Sequence, residues 1–343
     1  MITISSLTFL SIIFMGIALV YWAVQPQYPK HIKFTGIRQD YAQSVPPPPE
    51  ALKVMTYNIA YGAGMDNLKG HVTSKETLLQ NLDEIAHTVK DNGIDILCLQ
   101  EVDIKSRRSH GIDEVSYIAN LCGFSYMAFA LNWDHHWVPY PMNFDFKHHF
   151  GRMVSGSAIL SKYPIQTHQV LLFEKPASNP FWYNWFYLDR SAQIVDVQLG
   201  ERQVIRLVNV HLEAYDTNTR ETQINTLMTH LNGLKKRPTL LVGDFNTVPS
   251  WAPQKNQFED EPETDFTRDS TYSQVSQVFE PAIGEKIPNL FTFPSNTPNR
   301  KLDHVFYDPS AFTVGKAEVI SGGLASDHLP VVVEVESLTF VKN

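Results

Sequence analysis

The sequence predicts an α/β fold in which two packed, mostly antiparallel sheets carry helices on their outer faces. Three observations lead there. Strand-like runs outnumber helical patterns, some of those runs are continuously apolar while others alternate, and acids, amides and imidazoles recur where strands end. Continuous runs suit strands covered on both faces and alternating runs suit strands covered on one. Sheets of both kinds close a core when helices pack outside them.

The chain divides into three parts. From Ile2 to Val24 no side chain is charged, and a run of that length is enough to cross a bilayer as a helix. Tyr21 and Trp22 lie near its end, where aromatic residues favour the interface. Residues 1–24 are therefore expected to be a single N-terminal membrane anchor. A secretory signal is the rival, although no basic leading segment and no clear A-x-A cleavage site accompany it. A cleaved segment would make the protein secreted or periplasmic. Lys30, Lys33 and Arg38 favour a cytoplasmic main body by the positive-inside tendency, and the side of the membrane stays open. Residues 25–50 are polar and end in Pro46 to Pro49, a stiff extended spacer. Residues 51–343 read as one domain, and 43% hydrophobic content over 343 residues is ample for its core.

A formal net charge of −8 and a pI near 5.9 argue against a protein that neutralises many phosphates of long nucleic acid. Cys98 and Cys122 give no disulfide framework.

Along the domain, Leu52 to Ala60 reads as a strand. A helix follows, opened by Thr73 and Glu76 as a T-x-x-E capping box, with Leu78, Leu82, Ile85 and Val89 on one face and Gly93 past its end. The apolar run IDILCLQEVD ends in Gln100 and Glu101. A short helix covers Glu114 to Leu121, and another runs from about Arg220 to Leu231. Strands recur at SGSAILSKYPI, SAQIVDVQL, QVIRLVNVHLE, TLLVGDFN, KLDHVFYDP and LPVVVEVES.

Asn58, Glu101, His211, Asp244 with Asn246, Asp303, and Asp327 with His328 each stand at or beside a strand end. Singly, each fits a turn or a surface acid. Together they match a site grafted onto the rim of a rigid sheet scaffold. Carboxylates and carboxamides with two histidines, no paired cysteine and no phosphate-cradling glycine loop suit Mg²⁺, or Mn²⁺, rather than zinc. Glu101 helped by Asn58 would suffice for Mg²⁺, which keeps waters and substrate phosphate among its ligands.

In order, TYNIAYG, LCLQEVD, GSAILSKYPI, VNVHLEAYD, VGDFNTVP, KLDHVFYDP and SDHLPVVVEV resemble the motifs of the endonuclease/exonuclease/phosphatase (DNase I-like) superfamily, over about Lys53 to Val335. The resemblance implies a four-layer α/β sandwich and cleavage of a phosphoester by an in-line water. It implies that Glu101 is the main metal ligand with Asn58 beside it, and that Asp327 supports the metal or His328. It makes His328 the acceptor of the water's proton, oriented by Asp303, while Asp244 positions the water and Asn246 and His211 hydrogen-bond phosphoryl oxygens. Asp103 reads equally as a supporting acid or a solvated loop residue.

The segment HHFGRMVSGSAILSKYPI loosely resembles the branch of sphingomyelinase-like enzymes and GPI-lipid remodelling proteins. Arg152 within it could fork onto a phosphate. His135, His136 and His148 read as a polar surface loop. Two aromatic-rich inserts, FSYMAFALNWDHHWVPYPMNFDF and NPFWYNWFYLD, are either local packing or a lip at a bilayer interface. The function expected is a Mg²⁺-dependent phosphodiesterase acting on a lipid or small amphiphilic substrate near a membrane. The alternative is a nuclease of the same fold, and no protein partner is evident.

Overall fold

The computed structural model describes residues 4–28, 34–37, 47, 49–65, 72–141, 147–200, 203–285 and 290–338. In chain order its elements are α1 (Ile4–Val24), β1 (Phe34–Ile37), β2 (Leu52–Asn58), α2 (Lys75–Asp91), β3 (Ile96–Asp103), α3 (Glu114–Cys122), β4 (Tyr126–Val138), β5 (Gly151–Ser161), β6 (Ile165–Leu172) and α4 (Phe181–Asn184). They continue with β7 (Ser191–Leu199), β8 (Gln203–His211), α5 (Thr217–Gly233), β9 (Thr239–Asp244), α6 (Thr271–Ser276), β10 (Glu280–Pro281), β11 (Asp303–Tyr307), β12 (Phe312–Val319) and β13 (Val331–Leu338).

Among the described residues, seven strands form one sheet in the order β1-β4-β5-β3-β2-β13-β12, and six form the other in the order β10-β11-β9-β8-β7-β6. Pairing is antiparallel except for β2 with β3 and β8 with β9. A parallel pair needs a crossover, and α2 and α5 supply the two crossovers. The period-two alternation of each strand sets the layers. Val54, Cys98 and Ile159 face Val195, Leu207 and Val242 between the sheets. Met55, Leu97 and Leu99 point the other way, onto Leu78, Leu82 and Ile85 of α2 and Ile118 of α3. Val208 and Leu241 pack on Ile224 and Leu227 of α5 and Val275 of α6. The result is helix, sheet, sheet, helix, the predicted four-layer sandwich.

Polar contacts pin the two sheets together directly beneath the strand ends. Gln100 and Asn209 are both fully buried, and Gln100 Nε2 donates to Asn209 Oδ1 at 2.6 Å. Asn209 Nδ2 donates to the carbonyls of Leu99 and Ala158, so one amide of the second sheet ties two strands of the first. Buried groups satisfied in this way fix the relative position of the sheets more tightly than apolar contact does.

Several expectations need correction. The cap of α2 is Ser74, whose side chain accepts the Thr77 N–H; Thr73 is buried and its carbonyl meets the His110 ring. The first aromatic insert is largely a strand, β4, because its alternating residues pair with β5 over most of its length. Trp133 donates to the Phe186 carbonyl, and both nitrogens of His135 meet backbone carbonyls, so these side chains pack rather than form a polar loop. His149 is buried against Trp137. The run SGSAILSKYPI splits, with β5 ending at Ser161 and β6 starting at Ile165. The run KLDHVFYDP pairs only from Asp303 to Tyr307.

The segment expected as an anchor does form a helix, α1. Among the described residues no helix is long and apolar enough to cross a membrane. The C-terminal end of α1 is tied to β4: Trp22 stacks on His136, and the amides of Gln27 and Tyr28 donate to Asp134. Lys30, Lys33, Arg38 and most of the proline-rich spacer lie outside the described residues.

Candidate active site

The strand register brings the polar strand ends together. Across the second sheet, Ser191 pairs with His211, His211 with Asp244, and Asp244 with Asp303. Three candidate residues therefore occupy adjacent positions in one row. In the first sheet Asn58 pairs with Gln100, and the ladder between β3 and β5 is interrupted between Leu99 and Val102. Glu101 stands in that bulge with φ +52°. A bulge re-aims a side chain, which puts this carboxylate into the cavity. Ala60, Tyr61 and Asn246 also hold positive φ, so four non-glycine residues in a sparsely populated region cluster around one site, as strained residues do at functional sites.

Gly243 sets the height of Asp244. Its φ is +139°, and a Cβ there would lie 2.0 Å from the Val210 carbonyl oxygen. Only glycine lets β9 come this close to β8 and hold Asp244 level with His211.

These residues line a cavity of about 710 Å³ that includes Tyr61, Glu101, Arg108, Phe150, Arg190, His211, Tyr215, Asp244, Asn246, Asp327 and His328. His328 Nδ1 is 2.8 Å from Asp303 Oδ2, and its Nε2 is 3.9 Å from Asp244 Oδ2. His211 Nε2 is 3.5 Å from Asp244 Oδ2 and 3.8 Å from Glu101 Oε1. Asn58 Nδ2 lies between Glu101 Oε1 (3.3 Å) and Asp244 Oδ2 (3.1 Å). Ser326 Oγ donates to the Asn58 carbonyl and accepts the His328 N–H, which fastens the S-D-H turn to β2. Asn246 brackets the turn after β9, its N–H donating to Asp244 Oδ1 and its Nδ2 to the Leu212 carbonyl. Asp244 is therefore both the start of a turn and a site residue.

The electrostatics assign different states to neighbouring groups. Burial alone would lower His328, but Asp303, Asp244 and Asp327 outweigh it and raise its pKa to about 10. Burial raises Asp244 to about 7, with His328 opposing and Asp303 adding to the rise. Burial, the Arg190 guanidinium and His328 push His211 well below the usual histidine range, so it is neutral. His211 contacts are therefore hydrogen bonds and dipolar contacts rather than ion pairs, and its Nε2 meets Arg190 Nη1. The resemblance makes His328 the acceptor of a proton, and in the free protein the carboxylates around it favour its protonated form.

The residues fit a divalent cation. Oxygen atoms of Glu101, Asp244 and Asp327 face one cavity, carboxylates outnumber cations there, and one buried oxygen of Asp303 has no partner. Asp244, Asp303 and His328 offer ligand atoms within 4.8 Å of one another. That trio is the poorer metal site, because an imidazolium bonded to its carboxylate has no lone pair for a metal. Glu101, partly exposed to the cavity, is the better one. Asn58 turns its amino group toward the two carboxylates, while its oxygen accepts the Ala60 N–H.

Arg152 is exposed on β5; among the described residues, the guanidinium groups lining the cavity are those of Arg108 and Arg190. Sequence reading passed over both, since nothing local separates Arg190, next to β7, from an ordinary strand flank. Asp103, left undecided, is buried and forks onto Arg108 at 2.9 and 3.1 Å.

The family model described as Endonuclease/Exonuclease/phosphatase family matches residues 55–328. No curated protein matches the sequence. Among solved structures, an endonuclease/exonuclease/phosphatase from Beutenbergia cavernae is 22% identical with TM-score 0.59, over 84% of this chain and 72% of that one. The human Nocturnin catalytic domain with bound sulfate is 18% identical with TM-score 0.57, over 92% and 99%. A Bacteroides thetaiotaomicron mannosyl-6-phosphatase is 18% identical with TM-score 0.55, over 83% and 99%. At these identities the likeness is one of fold.

Proposed function

This chain belongs to the endonuclease/exonuclease/phosphatase family, and on that premise we propose that it hydrolyses a phosphodiester with the help of Mg²⁺, or Mn²⁺. The observation that carries this reading is the convergence of Glu101, His211, Asp244 and the Asp303–His328 pair on one cavity. Glu101 would hold the cation with oxygens of Asp327 and Asp244 nearby, and a bound cation there neutralises charge growing on a phosphoryl oxygen.

The protein's own groups divide the remaining work. Asp244, poised near neutrality, accepts the proton of the attacking water, since a base is most effective with a pKa near the working pH. His328 keeps its proton and donates from Nε2 to a phosphoryl oxygen or to the departing oxygen, with Asp303 fixing its ring. His211 and Arg190 face the phosphoryl oxygens from the other side, Arg190 with charge and His211 as a neutral ring. Donors held in place before the reaction need no reorganisation as charge develops.

The substrate proposed is a lipid or small amphiphilic phosphodiester at a membrane surface. Phe9, Phe14, Met15, Ile17 and Leu19 of α1 stand exposed, as do Phe181, Trp182 and Trp185 around α4. The end of α1 and the end of α4 share a small cavity lined by Val24, Pro26, Asn184 and Trp185, so the two apolar surfaces are neighbours. Exposed apolar area on this scale marks a protein or membrane contact, and Trp suits the interface.

The test is turnover by the full chain, with Mg²⁺ and with EDTA, against sphingomyelin and glycerophospholipid vesicles, soluble phosphodiesters and abasic DNA. Metal-dependent hydrolysis of the vesicle lipids is expected. Turnover of abasic DNA alone would replace this reading with a nuclease, and turnover in EDTA would remove the metal.

A further inference from the structure

The cavity is larger than one phosphoryl group requires. At about 710 Å³ it has room for on the order of twenty waters at ~30 Å³ each. Its wall of Tyr61, Arg108 and Phe150 takes no part in the chemistry described above. Resting on the reading of this cavity as a phosphoester site, we propose that this wall is a subsite for a second anionic group on the same substrate, with Arg108 as its contact.

Arg108 is built to present one edge. It is 5% exposed. Its Nε and Nη2 fork onto Asp103, and Nη2 also reaches Ser155 Oγ at 3.3 Å. The guanidinium lies 3.5 Å over the Tyr61 ring, with Phe150 at 5.0 Å. Asp103 is itself held, its N–H donating to Glu114 Oε2 at 2.8 Å. Among the described residues, Nη1 has no hydrogen-bond partner. Nη1 is not among the fully enclosed polar atoms that lack a partner, so this edge of the guanidinium is left reachable from the cavity that Arg108 lines. Here the negative end of the pair is the fully buried Asp103, while Arg108 borders the cavity. An oxyanion on the ligand completes the set with charge-assisted bonds, the strong kind.

The surroundings carry the same sign. Arg107, Lys147 and Arg152 are exposed and neighbours: the Arg107 N–H donates to the Arg152 carbonyl, and Arg107 Nη2 to the Lys147 carbonyl. His148, next to Lys147, lines the cavity. On a chain of net charge −8 this basic rim beside Arg108 is a local exception, and it draws an anionic extension to that end. The second oxyanion could belong to a soluble bisphosphate or to a phosphorylated lipid headgroup.

The experiment compares substrates with and without a second phosphate, using the full chain with Mg²⁺. One arm sets glycerophosphoinositol 4-phosphate against glycerophosphoinositol, both soluble phosphodiesters. The other sets phosphatidylinositol 4-phosphate against phosphatidylinositol, each in phosphatidylcholine vesicles. Wild type is expected to favour the second phosphate about tenfold in kcat/KM in at least one arm, as one added charge-assisted contact supports. Arg108→Lys, which keeps the charge and loses Nη1, is expected to bring that preference below about threefold. Equal rates in wild type in both arms, or a preference untouched by Arg108→Lys, overturns the proposal. If Arg108→Lys does not fold, the rim variant Arg107→Gln/Arg152→Gln decides: a reduced preference that salt no longer modulates supports the subsite, and an unchanged one overturns it. Calorimetric titration of the same ligands in EDTA separates the two readings. Selective binding in EDTA with no turnover in Mg²⁺ keeps the subsite and sinks the phosphoesterase reading, whereas turnover in Mg²⁺ without selectivity does the reverse.

Discussion

Asp303→Asn isolates a charge at the centre of the site. The amide keeps the shape and an oxygen able to accept the His328 Nδ1 proton, now 2.8 Å away. Burial pulls the ring pKa down, and Asp303, by charge and by hydrogen bond, leads the carboxylates that raise it to about 10. The rise from 6.5 amounts to about 5 kcal/mol of preference for the imidazolium at ~1.4 kcal/mol per unit. An opposite charge at this range is worth roughly 1–3 units, so the variant's ring should titrate near or below pH 9. Two assays read it. Histidine resonances followed by ¹H–¹⁵N NMR give the ring pKa directly, and the alkaline limb of the pH–rate profile should move down with it. Folding stability should respond to the same charge. A folded pKa raised above the unfolded value of about 6.5 adds stability that is full below pH 6.5 and lost as pH rises to about 10. The variant's deficit should therefore be largest in acid and shrink toward pH 10. An unchanged His328 titration in Asp303→Asn would refute the charge argument and, with it, the role of His328 as a held proton donor.

Other outcomes follow from the same geometry. In wild type, kcat/KM should rise with pH through a single ionisation at or below about 7, the Asp244 value set by burial, and Asp244→Asn should cost at least ~10²-fold; a flat acid limb would point to another base. Glu101→Gln should abolish calorimetric Mg²⁺ binding and turnover with the melting temperature kept, since this side chain is 29% exposed. Normal Mg²⁺ binding would move the metal elsewhere. Gly243→Ala should lower stability in urea by more than ~3 kcal/mol, through a Cβ 2.0 Å from the Val210 oxygen at a φ that only glycine tolerates; a folded, active variant would show that β9 can shift without moving Asp244. Removing Phe181, Trp182 and Trp185 together should weaken vesicle binding in flotation and leave soluble phosphodiester turnover near wild type. Binding that persists undiminished would separate α4 from the membrane surface.

Much of the architecture was legible in the chain because it follows from local periodicity. Apolar runs and alternation mark most strands, and the crossover helices α2 and α5 carry their own patterns. Strand β4 was missed because aromatic residues interleaved with polar ones look like an insert until β5 supplies the pairing. The cap at Ser74 was misread by one residue, since Thr73 and Ser74 carry the same chemistry and only the folded backbone chooses between them.

The order of polar strand ends, from Asn58 to His328, is a property of the sequence itself, and it was enough to point to the family and to residues that the fold brings to one cavity. Which of them holds the proton was not. Neighbouring carboxylates favour a proton on His328 and burial raises Asp244, and those fields exist only once distant strand ends share a cavity. Arg108 and Arg190 enter the site for the same reason: a guanidinium acquires a function from what it faces, and only the tertiary packing of two sheets decides what that is.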